Sequence, residues 1–89
     1  MLTNTSWKMT KENQEAFNSM FKHEILNDGD DGIQYNEYQR APYIEDGLFI
    51  RVYNTHFELW EIPQYGGEPE KLKSNADINP IIEFARQVT

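Results

Sequence analysis

The sequence contains no cysteine among its 89 residues. That absence excludes a disulfide framework, a thiolate zinc site and a cysteine nucleophile. Small secreted domains commonly depend on disulfides, so we predict a cytoplasmic location. The N-terminus also lacks the apolar run of a signal peptide, and no stretch approaches the roughly 20 apolar residues of a membrane span. We therefore predict no membrane association.

Basic residues are also scarce. Eight Lys and Arg against fifteen Asp and Glu give a net charge of −7. The segment from Glu24 to Glu70 holds 11 of the acids but only two bases, Arg40 and Arg51. Because binding to nucleic acid needs clustered Lys and Arg, we predict no direct nucleic-acid binding. An acidic segment suits a basic or nucleic-acid-binding protein partner, a cation, or solubility alone.

The length of the chain fits one domain over residues 1–89, with 1–9 as a flexible N-terminal arm. Hydrophobic residues make up 38% of the chain and aromatic residues 13%. This content excludes a disordered chain, and it means that large rings must form much of a modest core.

Apolar residues at helical spacing predict an N-terminal helix over about 11–26, with Thr10 as its N-cap. The stripe consists of Phe17, Met20, Phe21 and Ile25. A C-terminal helix is predicted over about 80–88, because Pro80 suits the first helical position and Asn79 can cap it.

The strongest strand pattern is a central hairpin over 48–62, with Asn54 and Thr55 as a two-residue turn. This turn sets opposite charges and two aromatic rings directly across from each other. The predicted pairs are Arg51 with Glu58, Phe49 with Trp60, Ile50 with Leu59 and Val52 with Phe57. Short strands are also predicted within 33–40 and 70–73. The predicted fold class is α+β, with a small antiparallel sheet of three to four strands between the two helices in sequence.

Both faces of this hairpin carry apolar residues. One face has Ile50, Val52, Phe57 and Leu59; the other has Phe49, Tyr53, Trp60 and Ile62, interrupted by Arg51 and Glu58. Two arrangements are open: a helix on each face, or both helices on the first face. The second leaves an aromatic patch rimmed by acids, as protein-binding hot spots often look. Its predicted partner-binding residues are Phe49, Tyr53, Trp60, Tyr65, Glu58 and Glu61.

The acidic turn over 27–37 resembles an EF-hand calcium loop that has lost one residue. Asp31 and Gly32 match the fifth and sixth loop positions, and an amphipathic helix is predicted to precede them. Gly29 falls where a ligand is required, and Pro42 cuts short an exiting helix. A solvated turn therefore stands beside the calcium interpretation, whose ligands would be Asp28, Asp30, Asp31 and Glu37.

No catalytic pattern is present. The two histidines, His23 and His56, lack metal-ligand spacing, and no serine sits in a nucleophile elbow. The glycine pair at Gly66 lacks the spacing and the lysine of a phosphate loop. We therefore predict that the protein is not an enzyme and that it needs no cofactor.

The resulting hypothesis is a small acidic interaction module that binds, and in one version inhibits, a protein partner. In size and acidity the chain resembles accessory proteins of phages and mobile elements, and mimicry of nucleic acid is one form of the hypothesis. The alternatives are a calcium-binding regulator and a small enzyme or subunit completed by oligomerisation.

Overall fold

The computed structural model describes residues 8–27, 35–40, 47–63 and 67–88. Its elements, in chain order, are α1 (Lys11–Met20), β1 (His23–Asn27), β2 (Tyr35–Gln39), β3 (Gly47–Val52), β4 (Phe57–Ile62), β5 (Glu70–Asn75) and α2 (Ile78–Val88). The five strands form one antiparallel sheet in the order β1-β2-β3-β4-β5. The small α+β fold is therefore confirmed, and the sheet has five strands where three to four were predicted, because residues 23–27 add a strand. Within the described residues, neither helix is long and apolar enough to span a membrane.

The N-terminal helix is shorter than predicted. Thr10 caps it, since the Thr10 side chain accepts a hydrogen bond from the Asn13 backbone N–H at 3.2 Å. The helix ends at Met20, and Phe21 has left helical geometry. Residues 23–27 form β1 and pair with β2, so the predicted continuation to residue 26 was wrong. The adjacent apolar residues Ile25 and Leu26 fit a strand as well as a helix. In the structure they pair with β2, and the strand forms.

The central hairpin forms in the predicted register. Val52 lies opposite Phe57, and Phe49 lies opposite Trp60. Tyr53 N–H donates to the His56 carbonyl at 2.9 Å, which leaves Asn54 and its neighbour as the two turn residues. The predicted flanking strands also form, as β2 and β5, the latter with a register shift opposite the Leu59–Trp60 step.

Both helices pack on one face of the sheet. The core contains α1, α2 and sheet residues in a single cluster: Phe17, Phe21, Tyr38, Leu48, Ile50, Val52, Phe57, Leu59, Ile78, Ile81, Ile82 and Ala85. Phe49 is buried as well but does not belong to that cluster. Of the two arrangements considered, the structure has the second, in which the described helices leave the Phe49 side of the hairpin uncovered by a helix.

Polar side chains bind the two helices together. Buried Asn13 of α1 donates to Asn79 Oδ1 at 2.9 Å and to Glu83 at 3.2 Å, and it accepts from Arg86 at 3.1 Å. α2 begins two residues before the prediction, because Asp77 Oδ1 accepts the Asn79 backbone N–H at 2.9 Å. Asn79 therefore is not the cap.

The start of the described chain is attached to this helix pair. Asn79 Nδ2 donates to the Lys8 carbonyl at 2.8 Å, and Met9 packs against the core. The rest of the predicted arm, residues 1–7, lies outside the described residues.

Candidate functional site

The face of the sheet opposite the helices gathers aromatic and charged side chains from four strands; we call it the Arg51 face. Strand register arranges it in rows. Glu37, Arg51 and Glu58 are neighbours across β2, β3 and β4. The next row is Gln39, Phe49, Trp60 and Lys71. Tyr35, Tyr53 and His56 complete the face at the turn end of the hairpin.

Arg51 is the centre of the face. Its guanidinium carbon lies 4.6 Å from the ring centroid of Trp60, 4.9 Å from that of Tyr35 and 5.4 Å from that of Phe49. These distances are within the range of cation–π attraction. Arg51 Nε also donates to Glu37 Oε1 at 3.2 Å. Arg51 therefore forms its ion pair with β2 and not with Glu58, its partner in the hairpin register.

The environment keeps Arg51 charged. Burial acts to lower the pKa of the guanidinium, but the hydrogen bond with Glu37 and the neighbouring Tyr35 and Tyr53 outweigh burial and raise that pKa. The Arg51 side chain is 24% exposed and that of Glu37 13%. A fixed positive charge thus lies at the surface, held by rings below and beside it.

Glu58 organises the other half of the face. Glu58 Oε1 accepts from Trp60 Nε1 at 3.0 Å, and Oε2 lies 2.8 Å from His56 Nε2 and 3.7 Å from Lys71 Nζ. The His56 ring stacks on Tyr53 at 4.6 Å between centroids. These contacts fix the orientation of the indole and of the imidazole.

The pKa of Glu58 depends on the same contacts. Burial acts to raise it, but hydrogen bonds from His56 and Trp60 and the charge of Lys71 prevail, so the pKa of Glu58 is lowered. For Tyr53, burial and the nearby Glu58 raise the pKa of the phenol.

We expect the free energy of unfolding to depend on pH through Glu58. Because its pKa is lower in the folded state than the ~4.3 of an unfolded chain, ionised Glu58 stabilises the fold above that value. This contribution is lost as pH falls through the folded pKa. Glu58→Gln should cost about 1.5 kcal/mol at pH 7, from weakened hydrogen bonds to a charged group. Urea unfolding from pH 7 to pH 3 should show this cost shrinking; a cost independent of pH would contradict the assignment.

The predicted partner-binding residues are only partly brought together. Tyr53 and Trp60 are half-buried at the surface of the Arg51 face. Phe49 is 2% exposed and stacks on Trp60 at 6.3 Å, so it supports the indole from beneath. Glu61 lies opposite Leu48, a residue of the core on the helix side, and therefore does not belong to this face. Tyr65 lies outside the described residues.

The described acids of the Arg51 face do not form a rim. Glu37 is bound to Arg51 and to Gln39 Nε2 at 2.6 Å, and Glu58 is bound to Trp60 and His56. Arg51 and Lys71 balance the charges of these two carboxylates. The described part of the face is therefore close to neutral, although the chain is acidic.

Several contributors escaped the sequence analysis. Tyr35 and Glu37 belong to the face because β2 pairs with β3, and the alternation of Ile33, Tyr35 and Glu37 could have indicated this. His56 follows from the hairpin register, which sets it beside Tyr53. Nothing in the sequence indicates that Arg51 would contact three rings, since the contact depends on side-chain directions.

The proposed calcium site falls mostly outside the described residues, which exclude Asp28, Asp30 and Asp31. The carboxylate of the fourth predicted ligand, Glu37, accepts hydrogen bonds from Arg51 and Gln39. The helix predicted to precede the acidic turn is wrong, because strands β1 and β2 flank it. No group of three potential His, Asp or Glu ligands occurs within the described ranges.

The chain was compared with protein-family models, curated proteins and solved structures. No protein-family model, curated protein or solved structure matches this chain.

One polar atom of the Arg51 face is unusual. Gln39 is 5% exposed, and its Oε1 is buried without a hydrogen-bond partner. Such an acceptor is costly unless something donates to it.

Proposed function

We propose that the protein is a non-enzymatic interaction module that binds a protein partner through the Arg51 face. The observation that carries the proposal is the partly exposed guanidinium of Arg51 held against Trp60 and Tyr35 on a helix-free side of the described sheet. Arginine, tryptophan and tyrosine are the residues most enriched among interface hot spots.

The stacking and hydrogen bonds of the face favour binding. Ordering a flexible side chain at an interface costs about 0.5–1.5 kcal/mol. Here Arg51 is held by Glu37 and three rings, and the indole of Trp60 is held by Glu58 and Phe49. Much of that ordering has already taken place in the free protein, so a partner loses less affinity to it.

Charge balance indicates which kind of partner fits. A nearly neutral face with aromatic anchors suits a surface that offers apolar area and a few hydrogen-bonding groups. Affinity through such anchors varies little with salt. The mimicry form of the proposal instead uses the carboxylates of residues 24–70 as substitutes for phosphates on a basic partner, such as a nuclease. It requires affinity that falls steeply as salt rises.

The wider setting belongs to the same proposal. A small acidic module of this kind fits a cytoplasmic accessory protein that inhibits its partner by covering a functional surface. Inhibition follows if the Arg51 face occupies the partner's active or nucleic-acid-binding surface.

Photo-crosslinking in the native host tests the proposal. A benzoyl-phenylalanine replacing Tyr53 should crosslink to one predominant partner, because position 53 borders Arg51 and Tyr35 on the Arg51 face. The matched control places the same group at Gln87, exposed on α2. Anchoring by the Arg51 face is supported if the partner is captured from position 53 but not from position 87, and if capture is equally efficient when crosslinking is done at high salt. Equal capture from both positions, or from 87 alone, refutes it.

A further inference from the structure

A second surface feature lies away from the Arg51 face. An open pocket of about 340 Å³ is formed where the end of α1 meets the ends of β2 and β3. Its lining residues are Ser19, Met20, Phe21, Lys22, Arg40 and Leu48. This volume is at the lower end of the range for small-molecule sites.

The pocket combines an apolar floor with a basic rim. Phe21 and Leu48 are core residues, exposed only 3% and 6%. Lys22 and Arg40 are exposed, and Ser19 adds a hydroxyl. No acid is among the described lining residues, in a chain with almost twice as many acids as bases. Among the described residues, Glu61 lies opposite Leu48 in the strand register but does not line the pocket.

The position of Arg40 depends on a glycine. Gly47 has a φ of 101°, and a Cβ added there would lie 3.0 Å from Arg40 Nη1. The guanidinium of Arg40 thus packs closely against the backbone of Gly47, where an added side chain would press it aside by a few tenths of an ångström. Glycine is also the residue that adopts this φ without strain. The glycine at position 47 therefore allows both this backbone conformation and the close approach of the Arg40 guanidinium.

Lys22 has a simpler structural explanation. It follows the end of α1, where a cation offsets the negative end of the helix dipole. That explanation does not account for Arg40, which comes from β2's end and is brought to the same pocket by tertiary structure. Two cations from separate parts of the chain thus line the same pocket as two apolar core side chains, a combination that complements an amphipathic anion.

We propose that this pocket binds a small free monocarboxylate with a short apolar chain. The chain lies on Phe21 and Leu48, and the carboxylate accepts hydrogen bonds from Arg40, Lys22 and Ser19. Guanidinium and carboxylate form the strong, charge-assisted type of hydrogen bond. This site goes beyond the proposed function, and neither depends on the other.

Titration of the ¹⁵N-labelled protein with octanoate, below its micelle concentration, tests the proposal by NMR. Saturable shifts are expected at the amides of residues 19–22, 40, 47 and 48, with a dissociation constant on the order of 1 mM for about ten ligand atoms. Octanamide keeps the chain but loses the charge, and propanoate keeps the charge but loses most of the chain. Each should bind at least about tenfold more weakly.

Substitutions of the lining residues test the octanoate site independently. Arg40→Gln should raise the octanoate dissociation constant about tenfold, and Lys22→Gln about threefold, because the ammonium is exposed and flexible. Lys11→Gln is the matched control: it removes one exposed positive charge at the far end of α1 and should change the constant by less than about twofold. Shifts that do not saturate or that map to other residues, equal binding of octanamide, or equal effects of the Arg40 and Lys11 changes would overturn the site.

Discussion

Replacing Trp60 with alanine is expected to weaken the complex with the captured partner by about 2–4 kcal/mol, roughly 30- to 1,000-fold in Kd. The indole lies 4.6 Å from the Arg51 guanidinium carbon, closer than the rings of Tyr35 and Phe49, and it is held by Glu58 and stacked on Phe49. Its loss removes the anchor and also frees the guanidinium. Isothermal titration calorimetry measures the change directly.

Phe84→Ala is the matched control for this experiment. Phe84 is another half-buried ring with a cation near it, since Lys73 Nζ lies 5.7 Å from its centroid, but it belongs to α2 on the opposite side of the sheet. It should change affinity by less than about 0.5 kcal/mol. Trp60→Phe should fall between wild type and Trp60→Ala, because it keeps a ring but loses the N–H. Equal effects of the Trp60 and Phe84 truncations would show that the anchor is elsewhere.

Arg51→Met is expected to lower the free energy of unfolding by about 2–3 kcal/mol. The change removes the cation from three rings and leaves Glu37, whose side chain is only 13% exposed, without its ionic partner. The figure is below that of a fully buried pair because Arg51 keeps some contact with solvent. Urea unfolding monitored by circular dichroism gives the value.

A double-mutant cycle separates the ion pair from the ring contacts. Glu37→Gln combined with Arg51→Met should cost less than the two single changes added together, since each single change leaves the other group unpaired. Arg51→Lys should recover only part of the loss, because an ammonium lacks the planar surface that stacks on rings. Strict additivity, or full recovery with lysine, would contradict the central role of the guanidinium.

The hairpin was the most predictable part of the molecule. The pairs of Arg51 with Glu58 and Phe49 with Trp60 followed from one two-residue turn, because a turn of that length fixes every pair along both strands. The predicted end of α1 was wrong for the opposite reason. Its periodicity is local, whereas β1 forms by pairing with β2, whose residues lie 8 to 16 positions further along the chain.

The candidate site was predictable in its location but not in its chemistry. Strand alternation was enough to group Phe49, Tyr53 and Trp60 on one face. It could not show that Phe49 is buried, or that the Glu58 carboxylate is hydrogen-bonded to Trp60 and His56 within the protein. The acidity of the sequence suggested a negative rim, but the structure pairs the described acids of this face with cations. Net charge describes the chain as a whole and not the charge of one face.

The most direct test of the central claim is the ¹H–¹⁵N NMR spectrum of the protein as its partner is added. If the Arg51 face is the binding surface, the Trp60 indole N–H and the amides of Tyr35, Arg51, Tyr53 and His56 should shift or broaden first. The amides of exposed α2 residues such as Gln87 should stay in place. An undisturbed indole signal in a saturated complex, with the changes confined to the helices, would contradict the account.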